Sequence, residues 1–317
     1  MSSEVNLSII KEKYDLDNEA RKTISLLKEH AKKFEEFPFL EEYLNHHLNL
    51  NGKKKRLTKM IAVARICGGV DENVRHIINA LEFINSTIFL DDDIIDHDDY
   101  RKEKPTLNKL IGYEKTLLIG NMLFALAMNE LSKIKCYEKT KDEILHDFSY
   151  SIFIENVGQY SDLEYKNNFN YKGLGDWEEM VIRHSTSYVI SALIAIAKIK
   201  NRLDLISVIK DYETNCTLAG AAGDAVKGFL GKEKPKSDIN NMNFTILVSY
   251  ITRDKKFNSP EELEQNIISS NSLEKVKAYI DEKTKKSTDS LKSLQDSFDK
   301  EVLNYLSRQN KQIKWAV

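Results

Sequence analysis

The chain contains few residues that interrupt helices, with only 12 Gly and 4 Pro among 317 residues. Gly and Pro weaken or end helices and are common in the tight turns between short strands. Their scarcity therefore favours long helices over a strand-rich fold. Leu, Ile, Lys and Glu are common, and the hydrophobic content of 41% is sufficient for a packed core. The composition therefore predicts a helical globular protein.

The chain also lacks a charge excess, with 47 basic and 49 acidic residues and a net charge of −2. Domains that bind nucleic acid are usually clearly basic, so no nucleic acid partner is expected. Its 3 cysteines show no metal-type spacing, which indicates a reducing compartment. The longest apolar run, Tyr188 to Ala197, is too short to cross a bilayer, and the polar start does not resemble a signal peptide. We therefore expect a cytoplasmic protein without a transmembrane segment.

Apolar residues recur three and four positions apart over most of the chain, which is the spacing of amphipathic helices. The segment 72–99 is apolar on most sides and should lie centrally, with Asp71 as its cap. No change in composition marks a linker, so the sequence predicts one all-α domain spanning residues 1–317, with roughly ten or more helices. The predicted helices are 19–34, 37–50, 60–67, 72–99, 114–135, 139–164, 176–199, 203–229, 241–253, 260–268, 272–296 and 298–309, with loops at 165–176 and 231–238.

Six aspartates follow the apolar part of the segment 72–99 within nine positions. Asp92 and Asp96 are four residues apart and share a helix face, with Asp93 beside them. A divalent cation would relieve their mutual repulsion, and Mg²⁺ binds a few carboxylates together with substrate phosphates. Arg101 and Lys102 follow and could hold an anion. The segment therefore predicts a metal–diphosphate site; the alternative is a solvated acidic helix end, and the spacing does not fit an EF-hand.

This segment resembles the first aspartate-rich motif of the trans-isoprenyl diphosphate (polyprenyl) synthases, DDxxD followed by RRGxPT. Asp92, Asp93 and Asp96 match the acids, and Arg101 and Lys102 match the arginine pair. Other family motifs follow the same order along most of the chain. The matching residues are Lys53 and Arg56 in GGKRxRP, Asn85 at the histidine of ELxH, Gln159 in GQxxD, His184 at the lysine of Lys-Thr, and Asp224 in FQxxDDxxD.

The resemblance implies a helical bundle of the isoprenoid synthase type around a central prenyl-chain cavity. It also implies prenyl diphosphate substrates, Mg²⁺ as cofactor, and a homodimer or a heterodimer with a related subunit. The same resemblance implies the roles of the matching residues. Catalytic roles fall to Asp92, Asp93, Asp96 and Arg101, metal binding to Asp92, Asp93, Asp96 and Asp224, and substrate binding to Lys53, Arg56, Asn85, Arg101, Lys102, Gln159 and His184.

Residues one or two turns before the first acids set product length in this family. Thr87 and Ile88 occupy these positions, and Phe83 and Ile84 lie one turn further back, where they could form a floor. Neither Thr87 nor Ile88 is aromatic, so the resemblance favours a geranylgeranyl-length or longer product.

Departures from the family pattern leave three functions open. The first is a prenyltransferase that condenses an allylic prenyl diphosphate with isopentenyl diphosphate, head to tail, to a longer trans-prenyl diphosphate. The second is a terpene synthase on the same scaffold, which releases a hydrocarbon or alcohol; Asn85 favours it, while Lys53 and Arg56 count against it. The third is a weakly active regulatory subunit of a heteromeric prenyl diphosphate synthase, suggested by the loss of acids at 219–227, where only Asp224 remains.

Overall fold

The computed structural model describes residues 39, 42, 43, 46, 55–101, 104–165, 173–231, 237–251, 257–294 and 300–311. Within these ranges nearly every element is a helix, which confirms the all-α prediction. In chain order the elements are α1 (Lys55–Ile66), α2 (Glu72–Ile95), β1 (Tyr100–Arg101), β2 (Lys104–Pro105), α3 (Leu107–Ile111), α4 (Tyr113–Ser132), α5 (Glu138–Tyr165), α6 (Leu174–Val181), a π-helical turn (Ile182–Thr186), α7 (Ser187–Ile199), a 3₁₀ turn (Leu203–Leu205), α8 (Ile206–Phe229), α9 (Ser237–Asn240), α10 (Ile246–Ser249), α11 (Pro260–Ser269), α12 (Ser272–Ser290), a 3₁₀ turn (Lys292–Leu294) and α13 (Lys300–Lys311).

The chain divides into two compact units. One comprises Met1–Leu145 with Ala195–Arg202, and the other comprises His146–Ile194 with Leu203–Val317. The chain crosses between the units three times: inside α5, inside α7, and between Arg202 and Leu203, just before the 3₁₀ turn. The sequence showed no linker at any of these points. The single domain over 1–317 stays a prediction.

In the first unit, α2 packs along α4 and forms the apolar centre. As predicted, Asp71 caps α2, and its Oδ1 accepts a hydrogen bond of 2.9 Å from the backbone N–H of Val74. The helix ends at Ile95 rather than at 99, because His97 adopts a left-handed backbone with φ 54°. Most side chains disfavour that conformation, so the helix stops there. The last two aspartates of the cluster therefore lie in the turn before β1.

The two-residue strands β1 and β2 were not predicted. They form an antiparallel pair in which Arg101 lies opposite Lys104. Arg101 lies on β1, eight residues after Asp93, and its side chain reaches back to Asp93 near the end of α2.

In the second unit, α8 packs along α12 around a shared apolar core. The core includes Trp177, Leu218, Phe229, Leu247 and Tyr279, all buried. These residues come from four helices, so the core joins segments far apart in sequence.

The predicted helix 241–253 is wrong. The structure has α10 there, preceded by a turn in which Met242 adopts a left-handed φ of 50°. The Asn243 backbone N–H donates to the Asp238 carbonyl oxygen at 2.8 Å, and its side-chain nitrogen donates to Asp238 Oδ1 at 3.1 Å. Asn side chains compete with helical hydrogen bonds in this way.

Among the described residues, one helical stretch, Leu174–Ile199, is long and apolar enough to cross a membrane by length and composition. However, 61% of its apolar window is buried within the protein. Burial of this kind is equally typical of a core helix in a water-soluble fold. The predicted absence of a transmembrane segment stays a prediction.

Candidate active site

Helix α2 presents one row of side chains toward the predicted substrate-binding arginines of the first unit. Asn85, Phe89 and Asp93 are each four residues apart, so they lie on one face of the helix. Asn85 and Asp93 were predicted site residues, whereas Phe89 was not. The helical spacing from Asn85 to Asp93 is the signal that could have found it.

Asn85 and Phe89 hold Arg56, which lies on α1. The Arg56 guanidinium donates a hydrogen bond from Nη1 to Asn85 Oδ1. Its Cζ atom lies 5.4 Å from the centroid of the Phe89 ring, within the range of a cation–π interaction. Because Asn85 is neutral, it orients Arg56 without cancelling its charge. Direct contact between Asn85 and a substrate stays a prediction.

Asp93 and Phe89 hold Arg101 in the same manner. Arg101 donates to Asp93 Oδ1 from Nε at 3.1 Å and from Nη2 at 2.5 Å, and its Cζ lies 5.0 Å from the Phe89 centroid. The Asp93 side chain is only 1% exposed. A buried carboxylate needs a charged partner of this kind. In this structure Asp93 therefore positions Arg101, and its predicted role as a metal ligand stays a prediction.

Asp92 and Asp96 lie on one face at the end of α2, where Asp92 is half-buried and Asp96 is exposed. The Asp96 backbone N–H donates to the Asp92 carbonyl oxygen at 2.8 Å, which fixes their spacing. Within the described ranges no three His, Cys, Asp or Glu side chains form a ready metal cluster. Two carboxylates still suit Mg²⁺, which fills its remaining positions with water and substrate phosphates. Asp92 and Asp96 thus fit the predicted metal.

Two buried polar side chains fix the turn after the acids. Thr106 Oγ1 donates to the Asp98 carbonyl oxygen at 2.7 Å, and Asn108 Nδ2 donates to the same oxygen at 3.0 Å. Thr106 is the last residue of the family motif, and this hydrogen bond shows what its hydroxyl does in the structure. Asn108 was not predicted from the sequence. The signal that could have found it is a polar residue near the start of a short apolar helix.

The predicted chain-length residues lie in the interior of the first unit. Phe83, Ile84 and Ile88 are buried, and Thr87 Oγ1 donates to the carbonyl oxygens of Phe83 at 3.2 Å and Gly120 at 3.1 Å. Thr87 thus contacts α4 as a helix-packing residue, and control of product length stays a prediction. Lys53 and Lys102 lie outside the described residues.

In the second unit, His184 lies in the π-helical turn beside α5. Its Nδ1 lies 3.3 Å from Oε1 of the buried Glu155. Gly158 permits this approach, because a Cβ atom there would lie 2.5 Å from the His184 backbone nitrogen. Gln159, the next residue of α5, is partly buried. Glu155 was not predicted, and no sequence spacing links it to His184.

Asp224 does not fit a divalent metal site. It is 69% exposed, and its Oδ1 accepts a 2.6 Å hydrogen bond from Lys227 Nζ one turn along α8. It is also the one acid in the segment 219–227. A single exposed carboxylate already paired with an ammonium is a poor metal ligand, so no chemical step is assigned to a metal here.

Comparison with known proteins shows the family of this chain. The family model described as polyprenyl synthetase matches residues 37–283. The chain belongs to the polyprenyl synthetase family. This confirms the resemblance read from the aspartate-rich segment, and with it the enzyme class, that of the trans-isoprenyl diphosphate synthases.

Individual members of the polyprenyl synthetase family agree with this. A geranylgeranyl diphosphate synthase of Saccharolobus solfataricus is 27% identical over 238 residues, covering 69% of this chain and 70% of the relative. A short chain isoprenyl diphosphate synthase of Methanocaldococcus jannaschii is 28% identical over 223 residues, covering 67% of each. The crystal structure of a decaprenyl diphosphate synthase from Rhodobacter capsulatus superimposes with a TM-score of 0.81 at 16% identity, covering 96% of this chain and 98% of that one. The structural likeness shows the shared all-α isoprenoid synthase fold.

Proposed function

We propose that this chain is a cytoplasmic, Mg²⁺-dependent prenyltransferase that condenses an allylic prenyl diphosphate with isopentenyl diphosphate, head to tail. The single observation that carries the proposal is the row on α2. There, Asn85, Phe89 and Asp93 hold Arg56 and Arg101, and the acid pair Asp92 and Asp96 lies at the end of the same helix. Positioned guanidinium groups and accessible carboxylates on one helix suit a metal–diphosphate ligand. The geranylgeranyl and short chain synthases among the relatives support the same substrates.

In this reaction the allylic carbon–oxygen bond breaks and pyrophosphate leaves with the electron pair. A carbon–carbon bond then forms to isopentenyl diphosphate, which loses a proton to the released pyrophosphate. Asp92 and Asp96 would hold Mg²⁺, which stabilises the charge that develops on the leaving group when it is bound. Arg101, fixed by Asp93, donates hydrogen bonds to the allylic diphosphate. Arg56 orients isopentenyl diphosphate.

Lys53 and Lys102 complete the basic set around isopentenyl diphosphate in this proposal. His184, whose Nδ1 lies 3.3 Å from Glu155 Oε1, supplies a donor to the allylic diphosphate in this proposal. Gln159 positions the ligand next to it. Each of these roles follows the family resemblance.

The product identifies the reaction. We expect purified chain, given Mg²⁺, farnesyl diphosphate and isopentenyl diphosphate, to form a prenyl diphosphate longer by whole isoprene units, detected by mass spectrometry. Removing Mg²⁺ with a chelator should abolish the product. A hydrocarbon or alcohol formed without isopentenyl diphosphate would instead establish the terpene synthase.

The Asp224–Lys227 pair favours a second candidate, a weakly active subunit of a heteromeric synthase. If the chain alone yields no product with either substrate set, this candidate replaces the first. We expect a homodimer for the active enzyme, and light scattering on the purified chain measures that mass directly.

A further inference from the structure

Two arginines that serve different substrates in the proposed reaction contact the same aromatic ring. The Arg56 guanidinium lies 5.4 Å and the Arg101 guanidinium 5.0 Å from the Phe89 centroid. The two guanidinium centres are therefore at most about 10 Å apart. Both arginines are half-buried, so salt screens their mutual repulsion less than it would between exposed charges. Something must hold these like charges together before any anion arrives.

The ring and its helical neighbours supply that restraint. Asn85, one turn before Phe89, accepts from Arg56, and Asp93, one turn after it, accepts from Arg101. Each guanidinium is thus attached at one edge to a polar side chain and over its body to the ring. The negative face of an aromatic ring attracts cations, which offsets their repulsion.

We propose that Phe89 is a positioning residue that holds Arg56 and Arg101 as one preorganised cradle, so that the isopentenyl and allylic diphosphate sites are coupled. The roles of the two arginines rest on the proposed function, whereas their placement by the ring does not. Preorganised donors bind an anion more tightly than donors that must first be ordered. Removing the ring should therefore weaken both diphosphate sites together.

The test is a conservative series at position 89 in the full-length chain. Phe89→Leu keeps an apolar side chain but removes the ring, and Phe89→Tyr keeps the ring. We expect Phe89→Leu to bind inorganic pyrophosphate with Mg²⁺ roughly tenfold more weakly by calorimetry, because both cation–π contacts are lost. KM for both substrates should rise more than kcat falls in Phe89→Leu. Phe89→Tyr should keep the pyrophosphate affinity and the KM values of the parent protein.

Phe153→Leu is the matched control, because Phe153 is an exposed phenylalanine on α5 outside the site. Thermal unfolding of each variant reports whether the fold is kept, and Phe89→Met, which also lacks the ring, carries the comparison if Phe89→Leu unfolds. Unchanged pyrophosphate affinity in a folded Phe89→Leu variant would overturn the inference, even if the enzyme elongates prenyl chains. Conversely, weaker pyrophosphate binding in a chain that forms no product would support the cradle while rejecting the proposed function. A rise in KM for one substrate alone would also overturn it, because the sites would then be independent.

Discussion

Two buried carboxylates among the predicted site residues and their neighbours, those of Asp93 and Glu155, each lie against a basic side chain. Asp93 accepts from Arg101, and Glu155 lies 3.3 Å from His184 Nδ1. A buried charge without such a partner would be costly. Their positions are therefore determined by the fold before any ligand binds.

The Glu155–His184 pair leads to the first prediction. Glu155→Gln removes the carboxylate that pairs with the cationic form of His184, so the histidine should contact the allylic diphosphate less strongly. We expect KM for that substrate to rise by about three- to tenfold, the loss of one charge-assisted contact. Steady-state kinetics at fixed isopentenyl diphosphate measures it. Adding His184→Lys should restore KM, since lysine is charged without a partner; failure of this rescue would assign Glu155 a purely structural role.

A second prediction separates the two predicted metal sites. Asp92→Asn should lower kcat at least about 100-fold and raise the Mg²⁺ concentration needed for activity, because a ligand is lost. Asp224→Asn should change either quantity by less than about threefold, since its exposed pair with Lys227 contributes little. Titration of the reaction rate with Mg²⁺ compares the variants. Equal losses would show that Asp224 binds metal despite its pairing.

Sequence alone predicted the charged residues of the candidate site together with Asn85, but not Phe89 or Glu155, which contact those residues. Asp92, Asp96 and Arg101 were readable because motif and helical spacing coincide. Glu155 was not, because its contact with His184 joins two helical segments that only the fold brings together.

The presence of most helices could be predicted from apolar periodicity, whereas the residues at which helices end depend on local polar contacts. The core spans of α2, α4, α5 and α8 were predicted closely. The segment 241–253 failed because Asn243 bonds to Asp238 and breaks the helix. Periodicity does not report such side-chain competition.

The contact between α5 and the π-helical turn gives a third prediction. In Gly158→Ala the added methyl would lie 2.5 Å from the His184 backbone nitrogen and 2.9 Å from Arg183 Cβ, so the two segments must separate. We expect a loss of about 1–3 kcal/mol in the free energy of unfolding, from urea denaturation. Gly220→Ala, where a Cβ meets nothing within 4 Å, is the control and should be neutral or stabilising. Equal stability of the two variants would contradict the close packing.

The joint between α2 and α4 depends on Glu130. Burial raises the pKa of Glu130, but hydrogen bonds from Lys133, His76 and Asn79 outweigh it and bring the pKa to about 2. The folded protein therefore holds this proton less tightly than the unfolded chain. The resulting stability is present above the ordinary value of 4.5 and is lost as pH falls toward about 2.

Glu130→Gln tests this joint as a fourth prediction. We expect the variant to lose about 2 kcal/mol of unfolding free energy at pH 7, typical of hydrogen bonds to a charged group. Its difference from the parent should shrink as pH falls below the ordinary value. Urea midpoints at several pH values measure this. A difference independent of pH would mean that the carboxylate charge does not stabilise the joint.

For the molecule as a whole, composition and motif order predicted the all-α fold and the family, and both are confirmed. The low Gly and Pro content and the apolar periodicity predicted the fold, and the aspartate segment together with the order of the other motifs predicted the family. The division into two units was not predicted, because two of its three boundaries fall inside helices and no change in composition marks the third.

The central claim is that this chain joins isopentenyl diphosphate to an allylic diphosphate, and pyrophosphate release tests it most directly. Purified chain with Mg²⁺ and farnesyl diphosphate should release pyrophosphate only when isopentenyl diphosphate is added. Each pyrophosphate released should be matched by one isoprene unit incorporated from labelled isopentenyl diphosphate. Release without isopentenyl diphosphate, or no release under either condition, would contradict the account.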